Sequence, residues 1–105
     1  MAARMKFENV TALAKANVYF DGKVVSHTVL FPDGSKKTLG LIYAGEFHFG
    51  TDAPERMTVV SGELAVKPDG GSWSSYPAGT YFEIRGKSGF DVRATDPTAY
   101  LCEFL

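Results

Sequence analysis

The sequence predicts an all-β protein, a single sandwich or barrel, on three observations. Short apolar stretches are cut by eleven Gly and five Pro into segments of strand length. Several segments alternate apolar and polar residues with period two, as Glu46-Phe47-His48-Phe49 and Phe90-Asp91-Val92-Arg93-Ala94 do. No stretch carries the 3.6-residue periodicity of a packed helix. Eight Phe, five Tyr and one Trp sit beside these Gly and Pro, and short apolar stretches so separated suit a sandwich or barrel and fit a helical bundle poorly.

The elements follow in order. Residues 1–15 form an N-terminal extension, expected as a short helix or a frayed end, and residues 16–105 form the β domain. Val18 begins the strand-like region, and Tyr19-Phe20 runs into Asp21-Gly22, a hairpin turn pair. Val24–Phe31 is rich in β-branched residues, and Pro32-Asp33-Gly34 closes it with one preset and one permissive φ. Thr38–Tyr43 is the next strand, ended by Ala44-Gly45, and the segment through Phe49 follows. Met57–Ser61 and Glu63–Lys67 flank Gly62, and Pro68-Asp69-Gly70-Gly71 turns the chain again. Trp73 to Tyr76 leads to Pro77-Ala78-Gly79, which feeds Thr80–Arg85. Gly86 to Gly89 makes a turn before the Phe90–Ala94 strand, and Asp96-Pro97 precedes Ala99–Phe104. Nine or ten strands result.

Charge and cysteine content narrow the function. Eleven basic residues against twelve acidic give a formal charge of −1, so a nucleic-acid partner is not expected. Apolar runs such as Val29–Phe31 fall far short of the roughly 20 residues of a membrane helix. Met1–Lys6 has no apolar stretch behind it, so no secretory leader and a cytoplasmic location are expected. The single cysteine, Cys102, leaves no partner for an internal disulfide or a thiolate zinc cluster. It reads as a small buried hydrophobe.

Two segments carry a pattern. His48-Phe49-Gly50 is followed after four residues by Glu55 and after six more by Gly62, and Pro77-Ala78-Gly79 is followed after two residues by Phe82. This resembles the two-part signature of the cupin jelly roll, whose His-x-His, Glu and later His converge on a divalent metal. His48 and Glu55 match ligand positions, whereas Gly50 and Phe82 stand where histidines would be. Two potential ligands are fewer than a metal site ordinarily has. A metal is therefore not expected.

The stretches Asn17–Val24, Pro54–Gly62 and Tyr100–Phe104 carry a closer likeness. Over about residues 16 to 105 the chain resembles the small cupin-type pyrimidine/purine nucleoside phosphorylases. The resemblance implies a homodimer that splits purine and pyrimidine nucleosides with inorganic phosphate into free base and α-D-ribose 1-phosphate. It implies no cofactor, phosphate being a co-substrate. Arg85 and His48 depart from the family pattern, so substrate preference is not carried across by it.

That chemistry asks for a carboxylate near C1′ and the ribose hydroxyls, groups for the departing base, and donors for a dianion. With no Gly-rich phosphate loop in the chain, side chains must bind the phosphate, and arginine's fork suits it better than lysine. The candidates are Glu55, His48 and Glu83 for catalysis. Tyr43, Arg85, Arg93 and Phe82 are candidates for substrate contact, with Arg56 and Tyr81 weighed beside them. The competing readings are a metal-dependent isomerase or dioxygenase and a non-catalytic binding jelly roll.

Overall fold

A computed structural model describes residues 5–105. Its described residues form eleven strands: β1 Thr11–Ala12, β2 Asn17–Tyr19, β3 Val24–Leu30, β4 Lys36–Ile42, β5 Gly45–Thr51, β6 Glu55–Ser61, β7 Glu63–Pro68, β8 Ser74–Pro77, β9 Tyr81–Ile84, β10 Ser88–Ala94 and β11 Thr98–Phe104. Seven make one sheet in the order β1-β3-β4-β11-β6-β9, with β2 also paired to β3. The other four make a second sheet in the order β5-β10-β7-β8. Every pairing is antiparallel. The fold is all-β, and each strand expected between Val18 and Phe104 is present.

The N-terminal stretch differs from a helix or a loose end. Residues 1–4 lie outside the described residues, but β1 pairs Thr11 with Leu30 and Ala12 with Val29. The Leu13 amide also donates to the Thr28 carbonyl at 2.9 Å. The β3 edge offers unpaired backbone groups, and a short extended segment satisfies them where a one-turn helix would not.

Turns act through side-chain chemistry. Asp33 Oδ1 accepts the Ser35 amide at 2.8 Å and the Ser35 hydroxyl at 2.6 Å, which closes the β3–β4 hairpin. Gly62 joins β6 to β7 at φ +86, and a Cβ there would come within 2.5 Å of Thr98 Oγ1. Only glycine satisfies both constraints.

The core lies between the sheets. Val24, Ile42, Val59, Leu64, Val92 and Phe90 are fully or almost fully buried, each worth about 1.5–3 kcal/mol in removed apolar surface. Phe90 stacks on Phe49 with centroids 5.5 Å apart and meets the Phe82 edge at 5.6 Å. Toward one side these apolar layers give way to hydroxyls and a thiol. There the barrel is hollow.

Candidate functional site

Strand register assembles the wall of this hollow. Tyr100 on β11 faces Gly40 on β4, which faces Ser26 on β3. Cys102 faces Thr38 on one side and Met57 of β6 on the other, and Phe104 faces Glu55. Because strand side chains alternate, these residues share the inner face of the larger sheet. Phe49 and Phe90 close the opposite wall, and Tyr19, Phe20 and Phe104 stand at the rim. The half-open space is about 340 Å³, within the range of small-molecule sites.

Burial grades the cavity from rim to floor. Ser26, Tyr100 and Cys102 are 3%, 6% and 5% exposed, whereas the rim side chains of Tyr19, Phe20 and Phe104 are 40% or more exposed. Phe20 has a left-handed backbone at φ +52, a conformation costing about 1–3 kcal/mol for a bulky residue. Its ring is held by Phe47 at 5.0 Å and Phe49 at 5.5 Å, so packing offsets that cost.

Glu55 is the carboxylate lining the cavity. Loss of hydration raises its pKa above the ordinary 4.5, a thiol donated by Cys102 at 3.5 Å opposes the rise, and Asp52 adds to it. Burial likewise pushes the Cys102 thiol and the Tyr100 phenol each up to about 12, so both stay protonated donors near neutrality. On the floor Tyr100 and Ser26 flank Gly40 from the two neighbouring strands. Asn17 Nδ2 donates to Ser26 Oγ at 3.2 Å and to Thr28 Oγ1 at 3.3 Å. The cavity thus offers one carboxylate, several hydroxyls and aromatic walls.

The sequence candidates do not all gather here. Glu55 does. His48 and Gly50 border the cavity, but alternation turns Phe47 and Phe49 inward and the imidazole outward. On the outer face His48 Nδ1 lies 2.8 Å from Asp91 Oδ1 and 4.0 Å from Asp69 Oδ1. The spacing match to a ligand histidine therefore falls on the wrong face of β5. Phe82 faces inward but is absorbed by the core, 5.0 Å from Tyr76 and 5.6 Å from Phe90. Glu83, its neighbour in β9, points outward and takes Arg56 Nε at 2.9 Å and Nη2 at 2.7 Å. Arg56 in turn lies 5.0 Å over the Tyr81 ring.

The remaining arginines and Tyr43 are also elsewhere. Arg93 stacks 4.4 Å over Trp73 and approaches Glu46 at 3.8 Å on the outer face of the smaller sheet. Arg85 is exposed beyond the end of β9, in a groove with Asp69 and Ser88. Tyr43 lies against Leu39 and Leu41 on the outside of the larger sheet. None of Arg56, Arg85 and Arg93 lines the cavity, contrary to the expectation that an arginine would hold phosphate there. At the rim, Lys36 Nζ sits 5.4 Å over the Phe104 ring.

Tyr100, Ser26, Thr38 and Cys102 were not singled out by the sequence as cavity residues. Their signal was present, as polar residues on the same alternating face as Val24, Ile42 and Met57. The donors inside also do not suit a divalent ion. Phe49 and Phe82 occupy interior positions near the pattern's histidines, and the described residues contain no cluster of three or more His, Cys, Asp or Glu placed to hold a metal.

The geometry can be set beside known proteins. A family model described as pyrimidine/purine nucleoside phosphorylase matches residues 14–104. A protein of that name from Sorangium cellulosum is 62% identical over 95 residues, spanning 89% of this chain and all of the relative. One from Burkholderia orbicola is 52% identical over 106 aligned positions and spans both chains fully. A crystal structure of a protein of unknown function from Acinetobacter sp. ADP1 superposes with a TM-score of 0.92 at 40% identity, covering 95% of this chain and 98% of the other. An ectoine synthase from P. lautus superposes at 0.68 with 22% identity over 78% of this chain and 63% of its own, a likeness of cupin-type fold alone.

Proposed function

Because the chain belongs to the pyrimidine/purine nucleoside phosphorylase family, we propose that its barrel cavity is where purine and pyrimidine nucleosides are split by inorganic phosphate into free base and α-D-ribose 1-phosphate. The observation that carries the placement is Glu55, a half-buried inward carboxylate in a cavity otherwise lined by hydroxyls, a thiol and aromatic rings.

In the reaction a phosphate oxygen bonds to C1′ as the C1′–N bond breaks. The bonding pair stays on the base nitrogen, which takes up a proton, and attack from the face opposite the base leaves C1′ in the α configuration. Positive charge builds on C1′ and the ring oxygen between these events. The Glu55 carboxylate accepts from the ribose hydroxyls and stabilises that charge, more strongly than in water because the site is partly dry.

The base belongs on the floor and the phosphate at the rim. Burying a dianion among residues without a cation is costly, whereas a neutral aromatic base matches the rings of Phe49 and Phe90. The Tyr19 hydroxyl at the rim and Lys36 are the groups proposed to meet the phosphate. No metal takes part in this scheme, so a chelator leaves turnover intact.

The test is release of free base from a mixed panel of nucleosides with phosphate present and absent. Phosphate-dependent release with stoichiometric ribose 1-phosphate supports the proposal. Release independent of phosphate, or none, overturns it.

A further inference from the structure

Tyr100 reaches from β11 across β4 to β3, and the residue it crosses is Gly40. A Cβ built on Gly40 would lie 2.6 Å from Tyr100 Cζ and 2.7 Å from both Cε1 and the hydroxyl oxygen. These are closer than side chains pack, so the phenol occupies the space that any other residue at position 40 would fill. The phenol points across Gly40 toward β3, where Asn17 Nδ2 donates to Ser26 Oγ at 3.2 Å. The ring thus lies across β4 at the one position there with no side chain beneath it. No feature of strand formation calls for glycine here, because glycine weakens a strand interior and here marks a close approach.

The depth of the cavity follows from this contact. The buried Tyr100 forms part of the floor, and a methyl on residue 40 would lift the ring toward the cavity centre. We propose that the Gly40–Tyr100 contact sets the depth of the base-binding floor and thereby determines how well bicyclic purine bases are accepted relative to monocyclic pyrimidines. This rests on the phosphorylase reading of the cavity, with the base deepest. A floor raised by roughly a methyl group penalises the longer base most, and pocket discrimination of one methylene is worth on the order of 10–200-fold.

The experiment compares kcat/KM for a purine and a pyrimidine nucleoside in the unchanged protein and in Gly40→Ala, with melting temperature measured on both. The purine-to-pyrimidine ratio is expected to fall by on the order of 10-fold or more. Tyr100→Phe, which keeps the ring and removes the hydroxyl, is expected to hold the ratio within about threefold, since depth depends on the ring. In the Gly40→Ala, Tyr100→Leu double variant the methyl has nothing to displace, and the ratio returns toward its original value.

An unchanged ratio in folded Gly40→Ala, including an equal loss on both substrates, overturns the inference while leaving the phosphorylase reading intact. Failure of the unchanged protein to release base with phosphate overturns that reading instead. If Gly40→Ala does not fold, Tyr100→Leu alone carries the test by deepening the floor. A rise of about threefold or more in the purine share supports the inference, and no rise overturns it.

Discussion

The Cys102 thiol donates to Glu55 Oε1 across 3.5 Å between the neighbouring strands β11 and β6. The cavity carboxylate is therefore held by a protonated neighbour rather than by a cation. Among the described residues no ion pair compensates its negative charge, which is available to a developing positive charge.

Replacing Glu55 by Gln keeps the shape and removes that charge. We expect kcat/KM for phosphorolysis to fall by on the order of 10²-fold, about 2.7 kcal/mol, with the fold retained. Near-normal turnover at an unchanged melting temperature would remove Glu55 from the site.

Partial burial raises the Glu55 pKa, and this has a sign that can be measured. Between the ordinary 4.5 and the raised native value, the folded state binds more protons than the unfolded one. Stability contributed by the protonated group is thus complete below 4.5 and is lost as pH climbs through the native value. Urea unfolding across an acid-to-neutral series should show Glu55→Gln gaining on the unchanged protein as pH rises. Parallel curves would contradict the shift. The Glu55 contribution to the acid limb of kcat/KM should likewise lie above 4.5 and be absent from the variant, leaving only the limb set by phosphate ionisation.

Cys102 is 5% exposed and its pKa is pushed up to about 12, so it has neither access nor thiolate character. A thiol reagent at pH 8 should label the folded protein slowly and the denatured protein promptly. Rapid labelling of folded protein would show that the cavity floor opens.

Gly62→Ala combines a left-handed backbone with a 2.5 Å approach to Thr98 Oγ1. The strain and the overpacking together should cost about 2–4 kcal/mol, lowering Tm by roughly 10–25 °C. An unchanged Tm would mean that the turn relaxes without penalty.

Leu39, Leu41 and Tyr43 are 37%, 38% and 43% exposed on the outer face of the larger sheet. We expect two chains to cover this apolar face against each other, giving twice the 11.4 kDa chain mass by light scattering. Leu41→Lys should shift that mass toward one chain. A single-chain mass for the unchanged protein at micromolar concentration would rule the pairing out.

The all-β character was readable because it is a local property. Asp21-Gly22, Pro32-Asp33-Gly34 and Pro77-Ala78-Gly79 encode turns in two or three residues, and period-two alternation encodes strands in five or six. Glu55 and Gly62 were readable through their spacing, since both lie on a single hairpin whose geometry is set by adjacent residues. β1 was not, because Thr11–Ala12 is extended only by virtue of the β3 edge it covers.

Alternation groups residues by face but does not say which face is inner. His48 and Phe49 alternate equally well either way, and Arg93 was ambiguous for the same reason. Packing of Phe47 and Phe49 against Phe20 and Phe90 turned the aromatic rows inward and sent His48 to Asp91 and Arg93 to Trp73. The cavity itself joins Ser26, Thr38, Glu55 and Tyr100 from four strands, and Tyr100 rests on Gly40, sixty positions away in the chain. Their meeting depends on β11 inserting between β4 and β6, a long-range pairing stabilised by burial over the whole sheet and encoded in no short segment.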